Sequence, residues 1–278
     1  MSTVTAASKR EQRVTVRSLG QRKRPGGGGE PITMLTAYDF TFARIFDQAG
    51  IDVLLVGDSL GNVVQGCETT LPVTLDEVVY HTRLVVRGAS RALVVADMPF
   101  GSFQVSPEES VRNAIRCIKD AGAHAVKLEG GVAMAETIRR IVTAQIPVMG
   151  HVGLTPQSVH QLGGFRVQGR GDAGRAQVIE DALAVQAAGA FAVVLEGIPA
   201  DLGRELTERL EIPTIGIGAG ADCDGQVLVM HDLLGLNDWT PSFVKQYANL
   251  GALASQAARA YADEVRHRKF PDAKHSYR

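Results

Sequence analysis

The stretch Val53-Leu54-Leu55-Val56-Gly57-Asp58-Ser59-Leu60-Gly61 decides how the rest of the chain is read. A continuous apolar run leads into a carboxylate, a hydroxyl and two glycines. Such a run suits a parallel strand covered on both faces. Polar residues at the carboxyl end of such a strand are where α/β enzymes usually carry their chemistry. Gly, Asp and Ser also form ordinary turns. Taken alone, the stretch fits a turn and a ligand-binding strand end equally well, and only repetition along the chain separates the two.

The pattern does repeat. Ile32–Ala37 reads as a first strand and the opening stretch as the second. Leu93–Pro99 is a third, ending at Asp97, and Ala125–Gly130 a fourth, carrying Lys127 and Glu129. Ile146–His151, Phe191–Gly197 with Glu196, Pro213–Gly218 and Gln226–Met230 follow as strands five to eight. Helical patterns separate them. Asp39 is placed to cap a helix with Phe42, Ile45, Phe46 and Ala49 on one face. Thr74 to Glu77 and Ser106 to Glu109 have capping-box spacing, with Pro107 at a first helical position. Val111, Ala114, Ile115 and Ile118 mark the helix behind Pro107. Ile138, Ile141 and Val142 mark another, and further helices are expected over 176–188, around Leu202, Leu206 and Leu210, and over 241–265. The polar, glycine-rich excursion from Leu154 to Gly174 is long for a compact domain and reads as a lid or binding loop.

Eight strand-helix alternations predict an α/β fold, a single (β/α)8 TIM barrel. Residues 31–278 would form this catalytic barrel with a C-terminal helical tail, and residues 1–30 a flexible N-terminal arm that includes Arg22-Lys23-Arg24 as a solvated cluster. A doubly wound sheet is the runner-up. It lacks the Gly-x-Gly-x-x-Gly fingerprint after an early strand, and Gly216-x-Gly218-x-Gly220 comes too late in the chain to supply it.

Composition narrows the function classes. With 278 residues, a net charge of −1 and 45% hydrophobic residues, the chain has room for a large core and no basic surface for nucleic acid. No apolar stretch is long enough to span a bilayer, and no apolar block follows the basic N-terminus as in a secretory signal. The three cysteines, Cys67, Cys117 and Cys223, lie far apart, without zinc or redox spacing, and fit a reducing, cytoplasmic setting.

Asp58, Asp97, Glu129 and Glu196 end four different strands, and in a parallel barrel those ends open on one face. Lys127 and Glu129, two apart on one strand, point to the same side. Crowded carboxylates repel one another, and a hard divalent cation relieves them. Magnesium suits a few carboxylates completed by water and substrate oxygens. A 2-oxo-acid is a natural ligand for such an ion, which would stabilise its enolate. A base outside the metal set is then needed, and Glu196, on a distant strand, fits that part. His151, ending strand five, is either a satisfied core histidine or a substrate contact.

Several ordered segments resemble the ketopantoate hydroxymethyltransferase family. They are Met34–Asp39, Val56–Gly61, Thr70–Thr74 with Tyr80–Arg83, Ala96–Gly101, Val126–Gly130, His151–Ser158 and Gly216–Gly220, with Phe243–Tyr247 and Phe270-Pro271 in the tail. Asn62 and the Gly26–Gly29 run depart from the family pattern without touching an acid. The resemblance implies a barrel of the phosphoenolpyruvate/isocitrate lyase-like group, a bound Mg2+ and a large homo-oligomer, usually a decamer. It implies hydroxymethyl transfer from 5,10-methylenetetrahydrofolate to 3-methyl-2-oxobutanoate, forming 2-dehydropantoate for pantothenate biosynthesis. Carried onto this chain, it makes Asp58 and Asp97 direct metal ligands, with Glu129 completing the site. Ser59 and Lys127 would hold the substrate with those aspartates, and Glu196 would take the C3 proton. Two rivals are a magnesium-dependent oxo-acid lyase or aldolase on the same barrel and a non-catalytic metabolite-binding barrel.

Overall fold

The computed structural model describes residues 13–23 and 29–277. Residues 1–12 and 24–28, which take in most of the expected mobile arm and glycine link, lie outside the described residues. The chain divides into two compact units, Met1–Val227 and Leu228–Arg278.

The first unit is built on the expected closed barrel of parallel strands in sequential order. They are β1 (Ile32–Thr36), β2 (Val53–Val56), β3 (Leu93–Asp97), β4 (Ala125–Glu129), β5 (Val148–Gly153), β6 (Ala192–Glu196), β7 (Thr214–Ile217) and β8 (Gly225–Leu228). Strand side chains alternate between faces, so one parity fills the interior. Ile32, Met34, Val53, Leu55, Leu93, Val95, Ala125, Met149, Ala192, Val194, Ile215 and Val227 belong to one buried cluster. Continuing the same parity toward the carboxyl ends brings Asp97, Lys127, Glu129, His151 and Glu196 onto the interior side above that cluster. Register supports this placement: Asp97 pairs with Lys127 and Glu129 with His151 across neighbouring strands.

The helices around the barrel are α1 (Val16–Gly20), α2 (Phe40–Gln48), α3 (Leu60–Val63), α4 (Leu75–Gly88), α5 (Pro107–Lys119), α6 (Ala135–Thr143), α7 (Val159–Leu162), α8 (Gly171–Ala187) and α9 (Ala200–Arg209). Asp39 caps α2 by accepting from Phe42 N, and Thr74 with Glu77 forms a reciprocal capping box on α4. Ser106 accepts from Glu109 N at the start of α5, with Pro107 in the first turn. The inward faces differ in places from the sequence expectation. On α2, Ala43, Phe46 and Asp47 are buried while Ile45 is exposed, and on α5 Ile115 is exposed. Asp47 is inside because its carboxylate accepts from Ser90 N, Ser90 Oγ, Arg91 N and Ala92 N, tying α2 to the segment that opens β3.

The N-terminal arm needs correction. Residues 13–23 are folded, with α1 capped by Thr15, and Val14 and Leu19 join the barrel cluster. Arg22 and Lys23 are not a solvated cluster. Arg22 makes a two-point contact with Asp52, at 2.8 and 3.0 Å, and Lys23 Nζ lies 2.9 Å from Asp224 Oδ2. These pairs pin the segment across the amino-terminal end of the barrel. Leu19 is only 1% exposed. Leu19→Ala is therefore expected to lower unfolding stability by about 2–5 kcal/mol, read by urea denaturation.

The excursion after β5 is more ordered than its composition suggested. It contains a 3-10 turn at Pro156–Ser158 and the short α7, and α8 begins at Gly171 rather than at Ala176. It is fastened beside β6, where Leu154 N donates to Glu196 O and Gln168 N to Gly197 O, both at 2.8 Å. Gly153 makes the sharp departure from β5 at φ +94, a left-handed conformation that favours glycine. Gly150 faces α8, where an added Cβ would stand 2.3 Å from Val185 Cγ1, so the helix and strand meet only because no side chain intervenes.

The second unit holds α10 (Met230–Leu234) and α11 (Leu250–Arg266). The expected tail helix over 241–265 starts later, at Leu250, where the Asn249 side chain accepts from Ala252 N.

Candidate active site

The strand-end acids do converge. Asp58 lies just past β2, in the turn made at Gly57, and its backbone N approaches Asp97 Oδ2 at 3.3 Å. Lys127 Nζ donates to Asp97 Oδ1 at 2.6 Å, with both side chains almost fully buried. Glu129 and Glu196 flank the His151 ring. Nδ1 is 3.5 Å from Glu129 Oε1, and Nε2 is 3.1 Å from Glu196 Oε2. Neither ring nitrogen makes an aligned hydrogen bond, so these are close charge-dipole approaches across the mouth of the barrel. Ser59 Oγ meets the hydroxyl of Tyr38 at 2.9 Å, and His81 Nδ1 lies 2.7 Å from the Tyr38 carbonyl oxygen. The predicted residues Asp58, Asp97, Lys127, Glu129, His151 and Glu196 thus form one connected group. Ser59 follows Asp58 in the chain, and its hydroxyl is engaged by Tyr38 rather than by the acids.

The sequence reading did not single out Gln157. Its side-chain amide donates to Asp58 Oδ2 and to the Met98 carbonyl, each at 3.0 Å, and its backbone N donates to Glu129 Oε2, also at 3.0 Å. It lies inside the His151–Ser158 motif, but a buried glutamine in a polar loop has no periodicity to mark it. Tyr38, just beyond β1, was likewise visible only as part of a motif.

Burial dominates the electrostatics. It pushes the Asp97 carboxyl up to about 7, with Asp58 adding to the rise and Lys127 opposing it. Burial also raises Glu129 well above the ordinary glutamate range, against the pull of Lys127. Lys127 is itself drawn down by burial, but the charges of Asp97, Glu129 and Asp58 outweigh this and hold the ammonium above its ordinary range. His151 is lowered by burial and by Lys127, more than Glu196 restores, so its ring is neutral at pH 7.

Among the described residues, no three His, Cys, Asp or Glu side chains form a ready-made metal cage. The carboxylate oxygens engage Lys127 and Gln157 instead. The donor chemistry nonetheless suits a hard cation. Three buried carboxylates, Asp58, Asp97 and Glu129, share Lys127, which leaves two formal negative charges in excess. Glu129 Oε1 is buried without a hydrogen-bond partner. Magnesium is commonly held by one or two carboxylates with waters and substrate oxygens, and needs no full protein cage. Beside the acids, under the excursion, lies a cavity of about 350 Å³ lined by Gly131, Gly153, Gln161, Gln168, Gln177 and Asp181 among others.

A closed parallel barrel with its ionisable residues gathered at the carboxyl ends of the strands has the layout of a TIM-barrel enzyme. Solved structures share the fold. Phosphonopyruvate hydrolase, in a complex with oxalate and Mg++, matches with a TM-score of 0.59 at 12% identity, covering 94% of this chain and 93% of that one. 2,3-Dimethylmalate lyase, a member of the PEP mutase/isocitrate lyase superfamily, matches with a TM-score of 0.59 at 17% identity, covering 93% and 85%. At the level of sequence, the pattern of ketopantoate hydroxymethyltransferase matches residues 13–273. The 3-methyl-2-oxobutanoate hydroxymethyltransferase of Syntrophus aciditrophicus is 58% identical over 250 residues, 90% of this chain and 92% of its own. That of Frankia alni is 56% identical over 271 residues, 97% and 88%. The chain belongs to the ketopantoate hydroxymethyltransferase family. It is an enzyme that transfers a hydroxymethyl group to 3-methyl-2-oxobutanoate, forming 2-dehydropantoate, and these relatives favour that activity over the lyase or aldolase reading.

Proposed function

We propose that 5,10-methylenetetrahydrofolate donates the one-carbon unit, that magnesium is the resident ion, and that Glu196 removes the C3 proton of 3-methyl-2-oxobutanoate. The observation that carries this reading is the separation of the acids into two environments. Asp58, Asp97 and Glu129 are buried around Lys127, whereas Glu196 stands on the far side of His151 with its side chain 18% exposed. Asp58 and Asp97 would hold the ion directly, and Glu129, with one oxygen already engaged by Gln157 N, would complete the site through water. The ion would place positive charge where the oxygen of the enolate develops. Lys127 and Ser59 hold the oxo-acid beside the aspartates. His151, neutral, lines the wall between Glu129 and Glu196 and contacts the substrate. Glu196 accepts the C3 proton, and C3 then bonds to the methylene carbon of the donor. With one water taken up, the products are 2-dehydropantoate and tetrahydrofolate. Omitting methylenetetrahydrofolate should abolish product formation, and turnover of the oxo-acid without it would favour a lyase or aldolase.

The raised carboxyls give the metal reading a pH signature. Asp97 and Glu129 bind protons more tightly folded than unfolded, so without an ion the fold loses stability as pH rises from the ordinary carboxylate range through about 7. A bound cation favours the ionised acids and offsets this loss. Mg2+ is expected to raise the melting temperature more at about pH 8 than at about pH 5.5. An equal rise at both would count against these acids as its ligands.

We further propose a cytoplasmic homo-oligomer, a decamer as the resemblance implies, in which residues 31–278 form the catalytic barrel, and its C-terminal helical tail serves assembly. Three free cysteines fit a reducing compartment, and among the described residues no helix is long and apolar enough to cross a membrane. Support for assembly comes from α11, which has no buried residue yet exposes Leu253, Tyr261 and Val265.

A further inference from the structure

The excursion after β5 reaches back into the acid cluster through Gln157. Gln157 is 5% exposed and makes three hydrogen bonds to the strand-end machinery. The direction of its amide is fixed by chemistry. The NH2 group faces two acceptors, Asp58 Oδ2 and the Met98 carbonyl, while Oε1 faces the Gln104 side-chain amide at 3.4 Å. The reversed amide would set oxygen against both a carboxylate and a carbonyl. Side chain and backbone therefore act on two different acids, each holding one oxygen. Asp58 is gripped at Oδ2 and Glu129 at Oε2, which leaves Glu129 Oε1 without a hydrogen-bond partner. A carboxylate held by one oxygen has lost its rotational freedom and presents the other in a fixed direction.

We propose that Gln157 is a positioning residue that aims the Asp58 and Glu129 carboxylates at the divalent cation, and that it couples the excursion after β5 to the metal site. This rests on the metal reading proposed above. Gln157 contacts protein groups that surround the site. It acts through Asp58 by its side chain and through Glu129 by its backbone, so side-chain replacement removes only the first arm.

The test is calorimetric titration of Mg2+ into the full-length protein without substrate, for the wild type, Gln157→Met and Gln157→Ala. Gln157→Met keeps the length of the side chain and removes its donors. Gln157→Ala is the second variant should methionine pack poorly. Affinity for Mg2+ is expected to fall about 10- to 100-fold in both, as for lost outer partners of metal ligands. Thermal unfolding of the metal-free variants is run alongside. A purely structural glutamine would lower the melting temperature and leave the Mg2+ affinity of the folded protein unchanged, and that result overturns the proposal. No Mg2+ uptake by the wild type would overturn the metal reading itself. Uptake by the wild type and equal uptake by both variants would overturn the role of Gln157 alone.

Discussion

Glu196→Gln is expected to slow turnover by about a hundredfold to ten-thousandfold, the usual contribution of a positioned general base. The substitution preserves size and hydrogen-bonding reach but cannot accept the C3 proton. Exchange of that proton into deuterium, followed by NMR on 3-methyl-2-oxobutanoate without the donor, should fall with turnover. Metal binding should not, because the polar neighbour of the Glu196 carboxylate is His151 Nε2 at 3.1 Å, not the aspartates or Lys127. His151 strengthens the expectation. Burial and Lys127 keep its ring neutral, so it places no cation against Glu196 that would weaken it as a base. Exchange that survives the substitution would move the base to another group.

The convergence of these strand-end side chains is legible in the sequence, for a reason rooted in strand geometry. Asp97, Lys127, Glu129 and Glu196 share the parity of Val95, Ala125 and Val194, so any barrel that buries those apolar residues also brings the polar ones inward. Asp58 escapes this rule. It lies beyond β2, and only the turn at Gly57 brings it back toward Asp97. Other features carried no period. Val14 and Leu19 stand five apart in a polar context, and nothing in that spacing announces that they seal one end of a barrel. Arg22 and Lys23 read as solvated because their partners, Asp52 and Asp224, are distant in sequence. Gln157 was hidden for a related reason. Its partners belong to three other segments, and a polar residue in a polar loop is indistinguishable from a surface one until those segments meet.

Lys127→Met is expected to have the largest effect on stability. Lys127 and Asp97 are 4% and 2% exposed in their side chains and 2.6 Å apart. Removing one member of a buried pair leaves the other charge uncompensated, at about 3–5 kcal/mol. The deficit should depend on pH, and its sign follows from the two groups. The folded pKa of Lys127 is raised, so its stabilisation is complete below the unfolded lysine value of about 10.4 and is lost only above the folded one. It therefore stays charged throughout the ordinary range, and the variation comes from its partner. Asp97 takes up a proton as pH falls through about 7, after which little charge remains to be orphaned. Urea unfolding of the metal-free proteins should show a larger gap between wild type and variant at about pH 8 than at about pH 5.5. A gap below about 1 kcal/mol at both values would mean that other groups compensate Asp97. Adding Asp97→Asn to Lys127→Met removes the orphaned charge as well as its partner. If the double variant recovers much of the loss, the cost lies in the uncompensated carboxylate rather than in the net worth of the ion pair. Such a pair does little for the fold by itself, and its place at the strand ends is then explained by the charge it must hold ready for the ion and the oxo-acid.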